Sequence, residues 1–412
     1  MALAAPVPEV APSASRSGAA AIIAPSDAGD LYVPALERHG WNCVAVAVPG
    51  TRRMDGAGGY LRNLNHRGNL RRTAAHLSHL DVRAVLAGSP AGTVLADRLA
   101  SRLHLPGNDP NTTDTRRDTG STHAALLDAG IAAPRSITAT RLADALTWAA
   151  FTQVAELLLE HPDPAHPGSP FYCCSATDIR SAWQHLQHSS GQPLTLREHL
   201  AGTRYRIHAV TGPGPDRSTD HTVTTIWAET LAASHAVWRA DLLSRQGLLS
   251  RALTLYINRA LRALGVRYGP SCATVTFIPD RGPALLSLRT DPYADFASEV
   301  LQQVTGHNPF HDTALLLTTG RRYEARHQPG RPHTTKVALL PRSDGALDPH
   351  LLRTVTTLPT VVATTVLHAG APVRAGQVAG CLLLVADDSR AIDHDHQVIR
   401  AAEKLGLYGA PA

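Results

Sequence analysis

Three side chains in the sequence are of types that perform acid–base or nucleophilic chemistry: His161, His208 and Cys272. An imidazole can transfer protons near neutral pH, and a thiol beside an imidazole can become a nucleophile. The three residues lie far apart along the chain, so only the fold can bring them together. The alternative interpretation is that these side chains simply fill interior space.

Two other groups of metal-binding or thiol side chains are more typical of capping and packing. Asp393, His394, Asp395 and His396 are consecutive, but two histidines at i and i+2 at a predicted helix start indicate a solvated N-terminus with an aspartate cap. The pair at residues 173–174 lies on a predicted strand, with one sulfur toward the core and the other pointing away. The sequence therefore predicts no metal site.

The elements that must position these residues begin with a parallel α/β pattern. Strand, helix, strand, helix, strand and helix are predicted in turn at residues 20–24, 31–39, 43–48, 70–80, 84–87 and 94–103. A flexible tail is predicted before them, over residues 1–18. This pattern predicts a Rossmann-like N-terminal domain over residues 19–110.

The remainder of the chain has a more mixed α+β pattern. Helices are predicted at residues 179–188 and 248–264, and a hairpin loop at 212–220 between two strand-like segments. The last hundred residues are predicted to contain strands at 360–367 and 380–386 and a terminal helix at 395–405. The predicted fold class is therefore α/β, with α+β character after the first domain.

Composition excludes several classes of protein. Of the 412 residues, 43% are hydrophobic and 18% are charged, which is typical of a globular protein. The net charge of +5 comes from arginines that we interpret as dispersed, so nucleic-acid binding is not predicted. No apolar run approaches the ~18 residues of a membrane span. The five cysteines lack metal-site spacing, so a reducing cytoplasm is predicted.

Several short motifs occur in a fixed order along the chain. They are Leu95-Ala96-Asp97-Arg98-Leu99, Leu105-Pro106-Gly107-Asn108, Arg116-Arg117-Asp118, Glu198-His199-Leu200-Ala201-Gly202, Ala263-Leu264-Gly265-Val266 and Gly282-Pro283-Ala284-Leu285-Leu286. Their order resembles the ATP-grasp superfamily, in its L-amino-acid-ligase or carboxylate–amine-ligase branch. The resemblance implies an ATP-grasp-like domain at 111–305, with subdomains at 111–194 and 195–305, and a β-rich extension at 306–412. It also implies a role in amino-acid or peptide-like metabolism.

The resemblance places the ATP- and magnesium-binding positions on residues of unsuitable type. Thr119 and Glu160 fall on the two phosphate-binding lysines, and Arg204 falls on the ribose-binding carboxylate. The three magnesium-ligand positions are occupied by Thr274, Ser287 and Arg289, and a following arginine is replaced by Asp291. Residues 162–168 contain three prolines where the family has a glycine-rich loop. Phosphoryl transfer needs cations and magnesium to neutralise the transferring group.

The lysine count supports the same interpretation, because no lysine precedes Lys336. From this we predict that ATP and magnesium are not used as cofactors. The first hypothesis is a pseudo-ligase that binds a small amino-acid-like metabolite, or that pairs with an active ATP-grasp ligase or with itself as a homo-oligomer. The alternatives are an ATP-independent enzyme acting in the vacated cleft, and a divergent ATP-dependent amide ligase whose phosphate contacts are arginines.

Overall fold

The computed structural model describes residues 18–25, 28–50, 59–161, 170–190, 193–214, 218–232, 235–293, 295–321 and 332–409. The predicted N-terminal tail, apart from Gly18, and the proline-containing segment 162–168 lie outside these residues.

Nineteen β-strands occur in the described residues. In chain order they are β1 Ala19–Ile23, β2 Asn42–Ala47, β3 Tyr60–Asn65, β4 Val82–Ala87, β5 Ser136–Ala139, β6 Leu157–Glu160, β7 Phe171–Cys173, β8 Leu194–Glu198, β9 Thr203–Pro213, β10 Thr219–Leu231, β11 Val237–Leu242, β12 Gly269–Ile278, β13 Gly282–Arg289, β14 His333–Leu339, β15 Gly345–Leu347, β16 Val361–Thr364, β17 Pro372–Val373, β18 Gly380–Ala386 and β19 Tyr408–Gly409.

Twelve α-helices accompany these strands in the same described ranges. They are α1 Tyr32–Glu37, α2 Leu70–His79, α3 Thr93–Arg102, α4 Thr113–Arg117, α5 Thr119–Asp128, α6 Leu142–Thr152, α7 Ala176–Ser190, α8 Leu248–Ala263, α9 Ser298–Thr305, α10 Pro309–Thr319, α11 Pro349–Thr356 and α12 Ser389–Lys404. The mixture of helices and strands confirms the predicted α/β class.

The chain forms two compact units. The first comprises Met1–Gly107 with Phe310–Tyr323, and the second comprises Asn108–Pro309 with Glu324–Ala412. The domain boundaries drawn from the sequence stay predictions, but the C-terminal strands do not all form a separate sheet. Strands β14, β16 and β18 continue the large sheet that begins with β9 to β13.

The first unit contains a parallel sheet of order β3-β2-β1-β4. Its central strand β1 is wholly buried because it consists of alanines and isoleucines and is covered on both faces. The sequence did not predict β3, whose side chains are largely exposed and polar. An edge strand of this kind carries no hydrophobic alternation, so its pairing with β2 decides its conformation.

The second unit contains two antiparallel sheets that concern the candidate site. The smaller has the order β5-β8-β6-β7, and the larger has the order β13-β12-β9-β10-β11-β14-β18-β16. Strands β9 and β10 pair as the predicted hairpin. One face of the larger sheet is apolar, and the helix α8 packs on it through buried residues such as Leu253 and Ile257. The opposite face is therefore the one left for polar side chains.

The terminal helix differs from its prediction. It begins at Ser389, and its cap is Asp388, which accepts a hydrogen bond from the backbone N–H of Arg390. Asp395, predicted at the helix start, is buried further along the helix, and its carboxylate accepts from the N–H and hydroxyl of Thr360. The prediction of a solvated N-terminus at residues 393–396 is therefore wrong, because local spacing could not reveal the contact with Thr360.

Gly202, in the connection between β8 and β9, has no room for a side chain. A Cβ atom there would lie 2.4 Å from the carbonyl oxygen of Phe277 and 2.9 Å from the hydroxyl of Thr276. We expect Gly202→Ala to lower the free energy of unfolding by about 1–3 kcal/mol, through overpacking. Urea denaturation measures this change. The matched variant Gly247→Ala, whose Cβ meets no atom closer than 3.7 Å, should cost less.

Candidate functional site

The polar face of the larger sheet is set by the alternation of side chains along β9. Tyr205 and Ile207 point into the core beneath α8. Arg204, Arg206 and His208 alternate with them and are only partly buried. Successive side chains of a strand point to opposite faces, so these three share the face away from α8.

Neighbouring strands place further predicted residues on this polar face. On β12, Cys272 pairs with His208, and Thr274 pairs with Arg206. On β13, Arg289 pairs with Cys272 and Ser287 with Thr274. Directly paired residues in a sheet lie on the same face. The structure therefore brings together six residues of the predicted site: Arg204, His208, Cys272, Thr274, Ser287 and Arg289.

The arginines of β9 are joined by a carboxylate that the sequence analysis did not identify. Glu229 on β10 pairs with Arg204 across the hairpin, and its side chain is only 2% exposed. One carboxylate oxygen accepts from Nε and Nη2 of Arg204 at 3.0 and 2.9 Å, and the other accepts from Nε of Arg206 at 2.6 Å. The two guanidinium groups are thus fixed by one buried anion.

A second ion pair lies at the end of β13. The guanidinium of Arg289 donates from Nε to Asp291 at 3.2 Å, and Asp291 is 3% exposed. The guanidinium groups of Arg206 and Arg289 also lie 5.7 and 5.6 Å from the ring centre of Tyr293. Such cation–π contacts hold arginines in place without neutralising them. The predicted position Asp291 is therefore part of the same cluster as Arg289.

Lys336 is a further residue of this face that motif comparison missed. It lies on β14, and its ammonium is 2.6 Å from Asp295 and 4.2 Å from the ring centre of Trp227. Burial opposes ionisation of Asp295, but Lys336 and the hydroxyl of Tyr293 together lower the pKa of that carboxyl. The low lysine count was a usable signal, since it singles out Lys336 as one of very few lysines in the chain. Its distance in sequence from β9 hid the contact.

Thr119 and Glu160, which fall on the phosphate-binding lysines in the resemblance, lie on other elements of the second unit. Glu160 ends β6, and Arg197 of β8 donates to it from Nε and Nη2 at 2.8 and 3.2 Å. Both side chains are about nine-tenths buried, with 12% and 9% exposed. Thr119 is buried as the first residue of α5. His161 follows Glu160 directly, just after the end of β6 in the smaller sheet.

His208 and Cys272 form the one pair among the three predicted catalytic residues. The Sγ and Nε2 atoms are 3.8 Å apart. Burial lowers the pKa of His208 to about 3, with Lys336 adding to the effect, and burial raises the pKa of Cys272 against the influence of Arg206 and Arg289. Both groups are therefore neutral near pH 7, which disfavours a thiolate nucleophile. The catalytic roles of His161, His208 and Cys272 stay predictions.

We expect Cys272 to be slow in alkylation because of this environment. At pH 7 iodoacetamide should modify the exposed Cys174 well before Cys272 in the folded protein, because Cys272 is buried and its raised pKa leaves less thiolate. Mass spectrometry of peptides over time measures both rates. Equal rates for the two thiols would contradict the neutral pair.

A small cavity of about 20 Å³ lies on this face beside His208, Trp227, Tyr293, Asp295 and Lys336. That volume accommodates about one water molecule. A ligand that binds the arginines of this face must compete with their carboxylate partners.

Solved structures of similar fold were found for nearly the whole chain. An L-amino acid ligase from Bacillus licheniformis has 13% sequence identity and a TM-score of 0.73, over 95% of this chain and 98% of that one. An N5-carboxyaminoimidazole ribonucleotide synthetase, solved as an ADP complex, has 12% identity and a TM-score of 0.71, over 94% and 97%. The chain has the ATP-grasp fold. The ATP-grasp resemblance inferred from the motifs is thus confirmed at the level of fold.

A third neighbour bears on the cofactor prediction. The carboxyaminoimidazole ribonucleotide synthase from Aspergillus clavatus, solved with ATP, has 13% identity and a TM-score of 0.70, over 94% of this chain and 99% of that one. No protein-family model matches the sequence, and no curated protein gives a significant match. Because neighbours sharing the ATP-grasp fold were solved with ADP and ATP, the prediction of no nucleotide and no magnesium cofactor is wrong. It rested on motif positions and on the lysine count, and it did not place Lys336 on the polar face.

The polar face of the ATP-grasp fold fits the phosphate part of a nucleotide. Arg204, Arg206, Arg289 and Lys336 supply four cations, which are the groups that phosphate oxygens require. Magnesium requires oxygen ligands, and the carboxylates of this cluster are those of Glu229, Asp291 and Asp295. Each of the three is ion-paired, so a magnesium ion would compete with an arginine or lysine there.

No helix in the described residues is both long enough and apolar enough to cross a membrane. The predicted cytoplasmic location stays a prediction.

Proposed function

We propose that the chain is a divergent carboxylate–amine ligase that holds its anionic substrates mainly through arginines. The observation that carries the proposal is the convergence of Arg204, Arg206, Arg289 and Lys336 on one face of the larger sheet. Arginine presents a planar fork of donors to carboxylate and phosphate oxygens, so it replaces a lysine as a phosphate contact.

The charge balance of the face supports an anionic ligand. Its four cations are opposed by the three carboxylates of Glu229, Asp291 and Asp295, which leaves an excess of positive charge before any ligand binds. A carboxylate substrate and the phosphates of a nucleotide are both anions. The chemistry of such ligases needs cations where negative charge develops on the transferring phosphoryl group.

The substrate class follows from the same resemblance. We propose an amino-acid-like carboxylate, in amino-acid or peptide-like metabolism, because one neighbour of the same fold is an L-amino acid ligase. In this proposal the guanidinium groups bind and orient the carboxylate, while a bound nucleotide supplies the phosphoryl group that activates it. The internal carboxylates keep the arginines extended over the face until a ligand competes for them.

The test is ADP release by the purified chain with ATP, magnesium and mixtures of amino acids. ADP formation that depends on an added amino acid supports the proposal, and Arg289→Gln should reduce it without unfolding the protein. Arg141→Gln serves as the control, because Arg141 forms an exposed ion pair with Asp144 and is not part of the polar face. A chain that neither binds nucleotide nor releases ADP contradicts the proposed ligase.

A second candidate is a ligase-like binding protein that does not turn ATP over, alone or paired with an active relative. It is favoured by the buried ion pair of Glu160 with Arg197, which places a carboxylate where the resemblance expects a phosphate-binding lysine. Nucleotide or amino-acid binding without ADP release would favour this candidate. The double variant E160K/R197Q would then be expected to raise nucleotide affinity, because it exchanges the anion for a cation.

A further inference from the structure

One segment of the first unit carries an excess of positive charge. Residues 59–107 contain seven arginines and no lysine, against two aspartates and no glutamate. The formal charge of this segment is therefore +5. Its arginines are Arg62, Arg67, Arg71, Arg72, Arg83, Arg98 and Arg102.

The two aspartates of this segment leave most of that charge uncompensated. Asp97 is buried in α3, and Asp81 pairs with Arg83 at 3.0 Å. Among the described residues, Arg67, Arg71 and Arg102 form no salt bridge, and all three are exposed. Unpaired cations that lie close together repel one another, and an anion bound between them would relieve that repulsion.

These three arginines surround one shallow, open concavity of the surface, together with Asn69 and Leu70. Arg102 comes from the end of α3 and Arg71 from the first turn of α2, so tertiary packing of the two helices creates the cluster.

We propose that this concavity, which we call the arginine pocket, binds the phosphate group of a small phosphorylated molecule. Guanidinium groups donate in pairs to phosphate oxygens, and three of them surround one space. The N-terminus of the ten-residue helix α2 adds its partial positive charge on the same side. The arginine pocket lies in the first unit and is independent of the ligase proposal, whose residues belong to the second unit.

The test uses inorganic pyrophosphate and ribose 5-phosphate as probes, titrated into the full chain at low salt and followed by calorimetry. We expect saturable binding that weakens at least tenfold in the double variant R71Q/R102Q. Both positions are exposed, so thermal unfolding should be unchanged. Stronger binding of pyrophosphate points to a free polyphosphate as ligand, and stronger binding of ribose 5-phosphate points to a phosphate ester. Arg83→Gln, which removes a paired arginine of the same unit, should leave binding unchanged.

Three results would overturn the arginine pocket. The first is that both probes bind the variant R71Q/R102Q as tightly as they bind the unchanged chain. The probes must then bind elsewhere, for example on the polar face of the larger sheet. A DNA duplex that binds more tightly than either probe, with a steep salt dependence that the double variant loses, would identify a nucleic-acid surface instead. Absence of saturable binding at millimolar probe concentrations would equally contradict the proposal.

Discussion

Glu229→Gln is expected to lower the free energy of unfolding by about 3 kcal/mol. Glutamine keeps the size of the side chain but removes the charge that joins Arg204 to Arg206. The carboxylate is almost fully buried, whereas each arginine side chain is 24% exposed, so water only partly replaces the lost partner. Removing one partner of a buried ion pair typically costs about 3–5 kcal/mol, and the partial exposure places this case at the lower end.

Urea denaturation measures the loss at Glu229 directly, because the midpoint falls while the slope stays constant if only stability changes. Asp144→Asn is the matched control, since Asp144 pairs with Arg141 at an exposed position on α6. That variant should unfold at the same urea concentration as the unchanged chain. If Glu229→Gln behaves like Asp144→Asn, the buried carboxylate does not organise the two arginines.

Glu160→Lys is expected to destabilise the protein by roughly 3–5 kcal/mol, because the new ammonium would face the buried guanidinium of Arg197. The exchange of both charges, E160K/R197E, should recover a large part of that loss. The coupling between the two positions is expected to be about 2–3 kcal/mol in a double-mutant cycle. Free energies of unfolding of the two single variants and the double variant provide the cycle.

The cycle at Glu160 and Arg197 also bears on function. In the resemblance to the ligase family, Glu160 falls on a phosphate-binding lysine and Arg197 falls on a hinge glutamine. The bidentate contact between the two side chains means that each supplies the charge that the other needs. A coupling near zero would mean that the two departures are independent, and the second candidate function would lose its support.

The sequence predicted the order of the elements well where hydrophobic patterns were strong. The buried strand β1, the amphipathic helix α8 and the hairpin of β9 and β10 all follow from local pattern and turn residues. The sequence did not predict β3, and it placed the start of α12 too late in the chain. In β3 the side chains are exposed, and in α12 a buried aspartate bonds to Thr360, so contacts distant in sequence decide both.

The candidate site was predicted only in part, because some of its features are local in sequence and others are not. Alternation along β9 is a local property, so the residue numbers alone place Arg204 and His208 on one face of that strand. The partners of these residues are not local. Glu229 meets Arg204 across the hairpin of β9 and β10, and Lys336 reaches the face through the pairing of β14 with β11. Asp295 lies in the connection between β13 and α9 and is held there by Lys336.

The sequence by itself determined which residue types are available: arginines in excess, almost no lysine, and the motifs of an ATP-grasp fold. The tertiary structure decided which charged side chains lie close to one another. It placed Lys336 on the polar face, joined Glu160 to Arg197, and gathered Arg67, Arg71 and Arg102 around one pocket. The physical reason is that the field at a site depends on distances between charges, and strand pairing and helix packing fix those distances.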